Sequence, residues 1–201
     1  MGSICQIVMM SKALNIIRDE HRSIAAVLHG MDYLVSKMRA GRAKIDSRVF
    51  RAMIYYLDTF SERVHHPKED RYLFSAMRSR GGEAQAVIAD LEREHAMGGD
   101  ALRRLEQCLV RYEEGGDGEF PAFAEALDKF IRDYREHMRK EEQIAFPLAE
   151  RLLKAADWQA IDRAFEENRD PLAAARDTRD FDKLFDHIVN LAPPPIGVGP
   201  D

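Results

Sequence analysis

The sequence has few of the features that would direct it to nucleic acid, to a lipid surface or to a disulfide-bonded fold. Only two of its 201 residues are cysteine, Cys5 and Cys108, which are too far apart for a Cys-x-x-Cys motif or a disulfide framework. The formal net charge is −5, and no basic run marks a polyanion-binding segment. We therefore expect no nucleic-acid or membrane partner, and we interpret both cysteines as reduced packing residues.

Long apolar runs and strand-like alternation are also missing. Residues 2–11 carry no charge, but this stretch lacks a preceding basic region and is too short for a signal peptide or a membrane-spanning helix. This pattern predicts a cytoplasmic protein. No segment alternates with a period of two over a useful length, so a sheet is not expected as the main architecture.

The sequence does contain helical periodicity, interrupted by glycine clusters and helix-capping residues. Four long helices are predicted, over residues 11–39, 46–80, 83–114 and 119–155. Asp157 is expected to cap a short fifth helix ending at Glu166, and residues 181–190 are a further candidate helix. The pattern predicts an all-α, up-down-up-down four-helix bundle over residues 11–155. A flexible segment (1–10) and a helical extension with a loose Pro/Gly tail (156–201) are expected to flank it.

A repeated motif places histidine and glutamate on the second and fourth predicted helices. Residues 65–74 align without gaps with residues 137–146, and both read His-x-x-Lys-Glu-acid-x-x-x-Phe. The separation of these two copies nearly equals that of the single histidines on the first and third helices, His21 and His95. The chain therefore resembles two copies of one helical hairpin.

The spacing predicts that the four histidines lie at a common level of the bundle. The interval from His21 to the turn at Ala40 equals the interval from Asp46 to His65, and the second hairpin repeats this spacing. Histidine and glutamate at positions i and i+4 share one helix face. Four imidazoles and two carboxylates would then converge, a donor set that suits iron and is too rich in oxygen for a closed structural zinc site.

These motifs resemble the hemerythrin-like, or HHE cation-binding, domains over residues 11–155. The resemblance implies a di-iron centre with two iron ions per chain, bridged by an oxo or hydroxo group and by carboxylates, that meets O2, peroxide or NO. The ligands it implies are four terminal histidines and two bridging glutamates: His21, His65, His95, His137, Glu69 and Glu141.

Two positions depart from the oxygen-carrying hemerythrins. Those proteins have a second histidine on helix three where this chain has Gly99, and an aspartate five residues after the helix-four histidine where this chain has Glu142. The chain is similar instead to bacterial members with one histidine on helix three, which include di-iron proteins linked to NO stress and iron–sulfur cluster repair. Whether Glu142 replaces or assists Glu141 stays open at this stage.

An alternative ligand set uses overlapping residues. Glu62 precedes His65 by three positions and Glu92 precedes His95 by three, which fits the Glu-x-x-His motif of ferritin-like bundles. In those bundles the motif falls on alternate helices, whereas here it falls on adjacent ones. Pro67 is expected to kink helix two, either as a tolerated irregularity or to orient Glu69.

The remaining polar residues near the motifs are interpreted as neighbours of the ligands. His66 should point away from the ligand face and flank the site. Glu20, Glu94 and Glu136 each precede a ligand histidine and either face outward or support the ligands by hydrogen bonds.

Three functions fit this sequence. The protein could capture or sense O2 or NO. It could instead be a di-iron enzyme or iron donor, in peroxide decomposition, NO reduction or iron–sulfur cluster repair, working with a redox partner and with Tyr55, Tyr56 or Tyr134 as a proton donor. Cys5 alone does not establish the repair role. A bundle that has lost its metal is the third interpretation, and retention of all six ligand-type residues argues against it. The sequence does not specify an oligomeric state.

Overall fold

The computed structural model describes residues 11–41 and 45–166 of the chain. Within these ranges it contains helices and no strands, which confirms the predicted all-α class. The helices are α1 (Lys12–Arg39), α2 (residues 47–79), α3 (Gln85–Gly115), α4 (residues 120–152) and α5 (Ala155–Glu166), with 3-10 turns at Gly82–Ala84 and Gly116–Glu119. The predicted segment 1–10, the candidate helix 181–190 and the tail lie outside the described residues.

Local signals explain where the long helices begin and end. The Ser11 hydroxyl accepts a hydrogen bond from the Leu14 N–H at the start of α1, and the Asp46 carboxylate accepts one from the Arg48 N–H at the start of α2. The breaks before α3 and α4 contain glycines with positive φ, 143° at Gly81 and 74° at Gly116. Helices α1 to α4 pack in sequence order, and α4 also packs against α1, which closes the bundle.

Helices α2 and α4 are not regular α-helices. Helix α2 runs through α-helical Ser47–Tyr56, His66–Lys68 and Ser75–Ser79, with π-helical turns at Leu57–His65 and Glu69–Phe74 between them. Helix α4 consists of α-helical Phe120–Lys140 and Phe146–Leu152, joined by a π-helical turn at Glu141–Ala145. Each wide turn borders a repeated histidine–glutamate motif, as is common for π-helical turns at functional sites.

Pro67 lies in the short α-helical turn between the two π-helical turns of α2. Just before it, the His66 N–H bonds to the Ser61 carbonyl, five residues earlier. The backbone irregularity expected from this proline is thus present as widened helical turns on both sides of it.

The apolar core consists of two clusters separated by a polar layer. One cluster includes Ile24 and Leu28 of α1 and Phe123 of α4, and the other includes Ile17 of α1 and Phe146 of α4. On every long helix, the predicted ligand residues lie where one cluster gives way to the other. This arrangement buries them and screens them from water on two sides.

Helix α5 covers the end of the bundle where α1 begins. Ile161 and Phe165 join the second apolar cluster, and the Asp162 carboxylate accepts hydrogen bonds from the Ser11 hydroxyl (2.9 Å) and the Ala13 N–H (2.8 Å). No helix within residues 11–41 and 45–166 is both long and apolar enough to cross a bilayer.

The predicted start of α5 at Asp157 is wrong, because the helix begins two residues earlier, at Ala155. Asp157 lies in the first turn, where its carboxylate accepts a hydrogen bond from the Lys154 N–H (2.8 Å) and pairs with Arg80 (2.6 Å). Asp157 therefore accepts from the backbone N–H of the residue just before the helix, but it does so from within the first turn and not from the N-cap position.

Candidate metal centre

The structure brings all six predicted ligand residues together in the polar layer, and all six are buried. Together with His66, these six residues form two adjacent groups of ligand atoms. In the first group, ligand atoms of His21, His65, Glu69 and Glu141 lie within 4.8 Å of one another. In the second group, ligand atoms of His66, His95 and His137 do the same.

Glu141 links the two groups through its two oxygens. Its Oε2 lies 3.2 Å from Nε2 of His21, while its Oε1 lies 3.3 Å from Nε2 of His137 and 3.6 Å from Nε2 of His95. A carboxylate whose oxygens face two different sets of imidazole nitrogens has the geometry of a bridging ligand.

Glu69 also faces both groups, and its environment indicates a cation site. Its Oε2 lies 3.5 Å from Nε2 of His65 and 3.8 Å from Nε2 of His95. Both oxygens of Glu69, both oxygens of Glu141 and Nε2 of His21 are buried and make no hydrogen bond with the described residues. Burying such groups without a partner is unfavourable, so the arrangement fits a bound cation between them.

Each of the four histidines donates a hydrogen bond from Nδ1 to a carboxylate of a neighbouring helix, at 2.8 Å in every case. We call these four carboxylates the carboxylate belt, and their pairs are Glu20–His65, Asp70–His95, Glu94–His137 and Glu142–His21. The belt runs from α1 to α2, α3, α4 and back to α1. It holds the proton on Nδ1, so that the lone pair of each Nε2 points to the centre, as in carboxylate–histidine–metal triads.

The belt decides several roles that the sequence left open. Glu20 and Glu94 belong to it, whereas Glu136 is exposed and pairs with Arg139. Glu142 hydrogen-bonds His21, and its carboxylate is in neither group of ligand atoms, so in this structure it assists and does not replace Glu141.

Asp70 is a member of the belt that sequence reasoning missed. It follows Glu69 just as Glu142 follows Glu141, so the acidic position of the repeated motif was the signal that could have identified it.

The distance between His95 and His137 is a second sign of a metal site. Their Nε2 atoms lie 3.0 Å apart, although both rings carry their Nδ1 protons toward belt carboxylates. Two lone pairs facing each other at this distance repel unless a proton or a cation lies between them. Two imidazoles at adjacent coordination positions of one metal, each about 2.1 Å from it, would have nitrogens about 3 Å apart.

The electrostatics of the site favour a positive charge at its centre. Burial lowers the pKa of His21, but the nearby carboxylates of Glu141 and Glu142 outweigh it and raise the pKa to about 10. The pKa of His137 is likewise about 10, where the charge of Glu141 outweighs burial, and that of His95 is about 9. Metal ions that displace these protons would satisfy the same carboxylates.

The two carboxylates that face both groups, Glu69 and Glu141, differ in their own pKa. Burial raises the pKa of Glu69 well above its usual range, and the negative charge of Glu141 raises it further. Burial would also raise the pKa of Glu141, but the positive charge of His137 beside it holds that pKa well below its usual range. Without a cation, therefore, Glu141 stays ionised, and its negative charge favours the protonated form of Glu69.

His66 lies closer to the centre than the sequence suggested. Its ring stacks on that of His95, with centroids 4.1 Å apart and planes 12° apart, and its Nε2 lies 3.0 Å from the Tyr134 hydroxyl. The angular spacing of a regular α-helix does not apply here, because the π-helical turn Leu57–His65 comes just before His66.

The ferritin-like ligand set is not assembled. Glu92 lies at the surface and pairs with Arg78, away from the centre. Glu62 is nearly buried, but its carboxylate faces His66, with Oε1 3.5 Å from Nδ1, and it joins neither group of ligand atoms. Burial raises the pKa of Glu62 to about 7.

Of the three tyrosines considered as proton donors, one reaches the centre. Tyr55 is 56% exposed, and Tyr56 is buried in the apolar cluster against Phe60. Tyr134 contacts His66 and also hydrogen-bonds the Ser61 hydroxyl.

A cavity of about 860 Å³ leads to this side of the centre. It lies between α3 and α4, and His66, His95, Tyr134 and His137 are among the residues that line it. A small molecule could therefore approach the second group from solvent.

Comparison with known families agrees with this geometry. The family model described as the hemerythrin HHE cation-binding domain matches residues 12–149, which include all six predicted ligand residues. Neither curated proteins nor solved structures gave a match to this chain.

Proposed function

Because the chain belongs to the hemerythrin HHE cation-binding domain family, we propose that it is a non-haem di-iron protein that binds or reacts with O2, peroxide or NO, in scavenging or in sensing. The observation that carries this proposal is the pair of buried carboxylates, Glu69 and Glu141, each without a hydrogen-bond partner and each facing histidines of both groups. Two bound iron ions would supply redox chemistry and an open coordination position.

The residues of the two groups would divide between the two ions. His21 and His65 would hold one ion and His95 and His137 the other, with Glu69 and Glu141 bridging. The mixed nitrogen and oxygen donor set suits iron better than it suits Mg²⁺ or Ca²⁺, which prefer oxygen alone. The carboxylate belt would orient the imidazoles and increase their basicity.

Two phenylalanines of the repeated motif shield the centre. Phe74 stacks on His95 with centroids 5.7 Å apart, and Phe146 stacks on His21 with centroids 6.0 Å apart. Together with the apolar clusters, they restrict the access of water and strengthen the electrostatic interactions inside.

A second candidate is an enzyme that turns over peroxide or NO. It is favoured by the Tyr134 hydroxyl, which lies at the cavity beside His66 and could donate a hydrogen bond or a proton to a bound substrate. Consumption of many equivalents of H2O2 or NO per chain would support the enzyme, whereas reversible binding of one equivalent would support a carrier or sensor.

The test is a count of iron in protein purified aerobically from iron-supplied cells, with spectra recorded before and after reduction and after exposure to O2, H2O2 and NO. We expect two irons per chain and oxo-bridge charge-transfer bands in the wild type. Glu69→Ala should lose at least one iron. Glu136→Ala is the matched control, since it removes an exposed glutamate, and should keep both. No iron, or a single zinc, in the wild type would refute the proposal.

A further inference from the structure

The two metal positions have different surroundings, although the repeat relates them. When the two hairpins are aligned on their His-x-x-x-Glu motifs, Met138 of α4 corresponds to His66 of α2. When they are aligned on the single histidines of α1 and α3, Ile24 of α1 corresponds to Gly98 of α3. Met138 and Ile24 are buried in one apolar cluster. At the second group, an imidazole and a glycine replace these two apolar side chains.

Gly98 makes room for a buried carboxylate. A Cβ atom at this position would lie 2.6 Å from Oε2 of Glu62, so only glycine lets Glu62 rest against α3 without a shift. Glu62 Oε1 and His66 Nδ1 face each other at 3.5 Å, and neither atom makes a hydrogen bond with the described residues. The Glu62 carboxylate thus lies on the Nδ1 side of His66, at a longer distance than the 2.8 Å of the belt pairs.

The other nitrogen of His66 faces a chain of hydroxyl groups. Nε2 lies 3.0 Å from the Tyr134 hydroxyl, which is also hydrogen-bonded to the Ser61 hydroxyl. Ser61 can donate to the tyrosine oxygen, which leaves the Tyr134 proton for a second acceptor. For that acceptor to be a ligand at the second group, His66 Nε2 has to donate to the Tyr134 oxygen, because the hydroxyl has only one proton to give.

The ring of His66 lies face to face with that of His95. A metal bound in the plane of the His95 ring cannot also lie in the plane of a ring stacked on it. This geometry makes His66 a neighbour of the second metal position and not one of its ligands.

The cavity between α3 and α4 reaches the same place. Its lining includes six lysine and arginine side chains, four of which pair with carboxylates: Arg93, Lys129, Arg135 and Arg139. The other two, Arg104 and Arg132, make no ion pair with the described residues. The guanidinium groups of Arg104 and Arg132 place positive charge along this route, which favours the approach of a small anion.

We propose that a small anionic ligand binds at the metal position held by His95 and His137, enters through this cavity, and accepts a hydrogen bond from Tyr134. His66 is a positioning residue, which the stacked His95 ring holds in place and whose Nε2–H donates to the Tyr134 oxygen. This inference rests on the proposed di-iron function, and it adds which of the two positions takes the ligand and which residue recognises it.

The test is a titration of the iron-loaded protein with azide, followed by the azide-to-iron charge-transfer band, with iron counted in every variant. Tyr134→Phe should keep two irons and raise the Kd for azide about tenfold or more, as expected for the loss of one hydrogen bond to a charged acceptor. Tyr112→Phe is the matched control, because its ring stacks on Phe123 away from the cavity lining, and its Kd should not change.

A second variant tests the role of His66. His66→Met introduces the residue of the counterpart position, and it should also keep two irons while weakening azide binding. Unchanged azide affinity in Tyr134→Phe would overturn the proposal, and so would loss of an iron in His66→Met, which would make His66 a ligand. If the wild type held no iron pair, both the proposed function and this inference would be refuted. If it held two irons and both variants bound azide as the wild type does, only this inference would be refuted.

The entry route is tested by kinetics. Ala101 lines the cavity, so Ala101→Phe should slow azide association without changing the iron content. Ala25→Phe, on the exposed face of α1, should leave the rate unchanged. Equal rates in both variants would show that the ligand enters elsewhere.

Discussion

Replacing one carboxylate of the belt by its amide should weaken metal binding without changing the shape of the site. Glu20 is 1% exposed, and its Oε2 accepts the Nδ1 proton of His65 at 2.8 Å. Glu20→Gln keeps the size of the side chain and an oxygen acceptor, but it removes the negative charge that makes His65 a stronger donor to the metal. Loss of such an outer partner typically reduces metal affinity 10- to 100-fold, or about 1.4 to 2.7 kcal/mol.

The assay is competition for Fe(II) or Co(II) with a coloured chelator, under anaerobic conditions and at fixed pH. Glu94→Gln is the related variant, because Glu94 accepts the Nδ1 proton of His137 in the other half of the repeat, and it should weaken binding to a similar extent. Lys140 also contacts Glu94, at 2.5 Å, so this variant disturbs one further ion pair.

Glu136→Gln is the decisive control for the belt. Glu136 also comes directly before a predicted ligand histidine, but it is exposed and pairs with Arg139, so its variant should bind metal as the wild type does. If all three amide variants lost affinity equally, the effect would come from net charge, and the hydrogen bonds of the belt would not be its cause. If none lost affinity, the belt would have no role in binding.

Three further outcomes are expected. The folded-state pKa of about 10 for His21 and His137 lies above the ordinary 6.5, so in the metal-free protein their stabilising contribution is complete below about pH 6.5 and is lost as pH rises through about 10. Its Tm should therefore fall over that interval, and a Tm that rises there would contradict the assignment. Metal binding should release protons from these imidazoles, seen as a calorimetric enthalpy that varies with the ionisation enthalpy of the buffer; a constant enthalpy would mean that the site binds metal already deprotonated. Phe165→Ala should destabilise the protein by about 3 to 5 kcal/mol in urea unfolding, because this α5 side chain is fully buried in the second apolar cluster. A change below about 1 kcal/mol would show that α5 is not part of the cooperative core.

The level of the site in the bundle was predictable because it depends only on distances along helices. His21 and His65 are equally far from the turn that joins their helices, and a constant rise per residue then brings them to one height. The i, i+4 spacing of His65 and Glu69 likewise places both on one face of the same helix, whatever the neighbouring helices do. The structure places all three residues in one group of ligand atoms.

Contacts between helices were harder to predict, because they depend on how each helix is rotated about its axis. Asp70 and Glu142 carry no sequence signal, apart from their shared place in the repeat, that distinguishes them from surface acids. Only the packing of α2 on α3 and of α4 on α1 brings them to His95 and His21. The orientation of His66 also depends on the π-helical turn before it, which sequence patterns do not reveal.

The repeat is maintained in one set of residues and broken in another. We interpret the first set as the residues that support metal binding and the second as those that distinguish the two metal positions. The predicted ligand histidines, the predicted bridging glutamates and the belt all follow the repeat, as expected if two metal ions of the same kind need the same support. His66 and Gly98 break it, and both line the cavity side of the second group. Because the broken positions do not supply the predicted ligands, they need not affect how tightly metal is held. They are therefore the residues through which one metal position can be opened to a small ligand, whereas the buried apolar side chains of Ile24 and Met138 occupy the corresponding positions in the repeat.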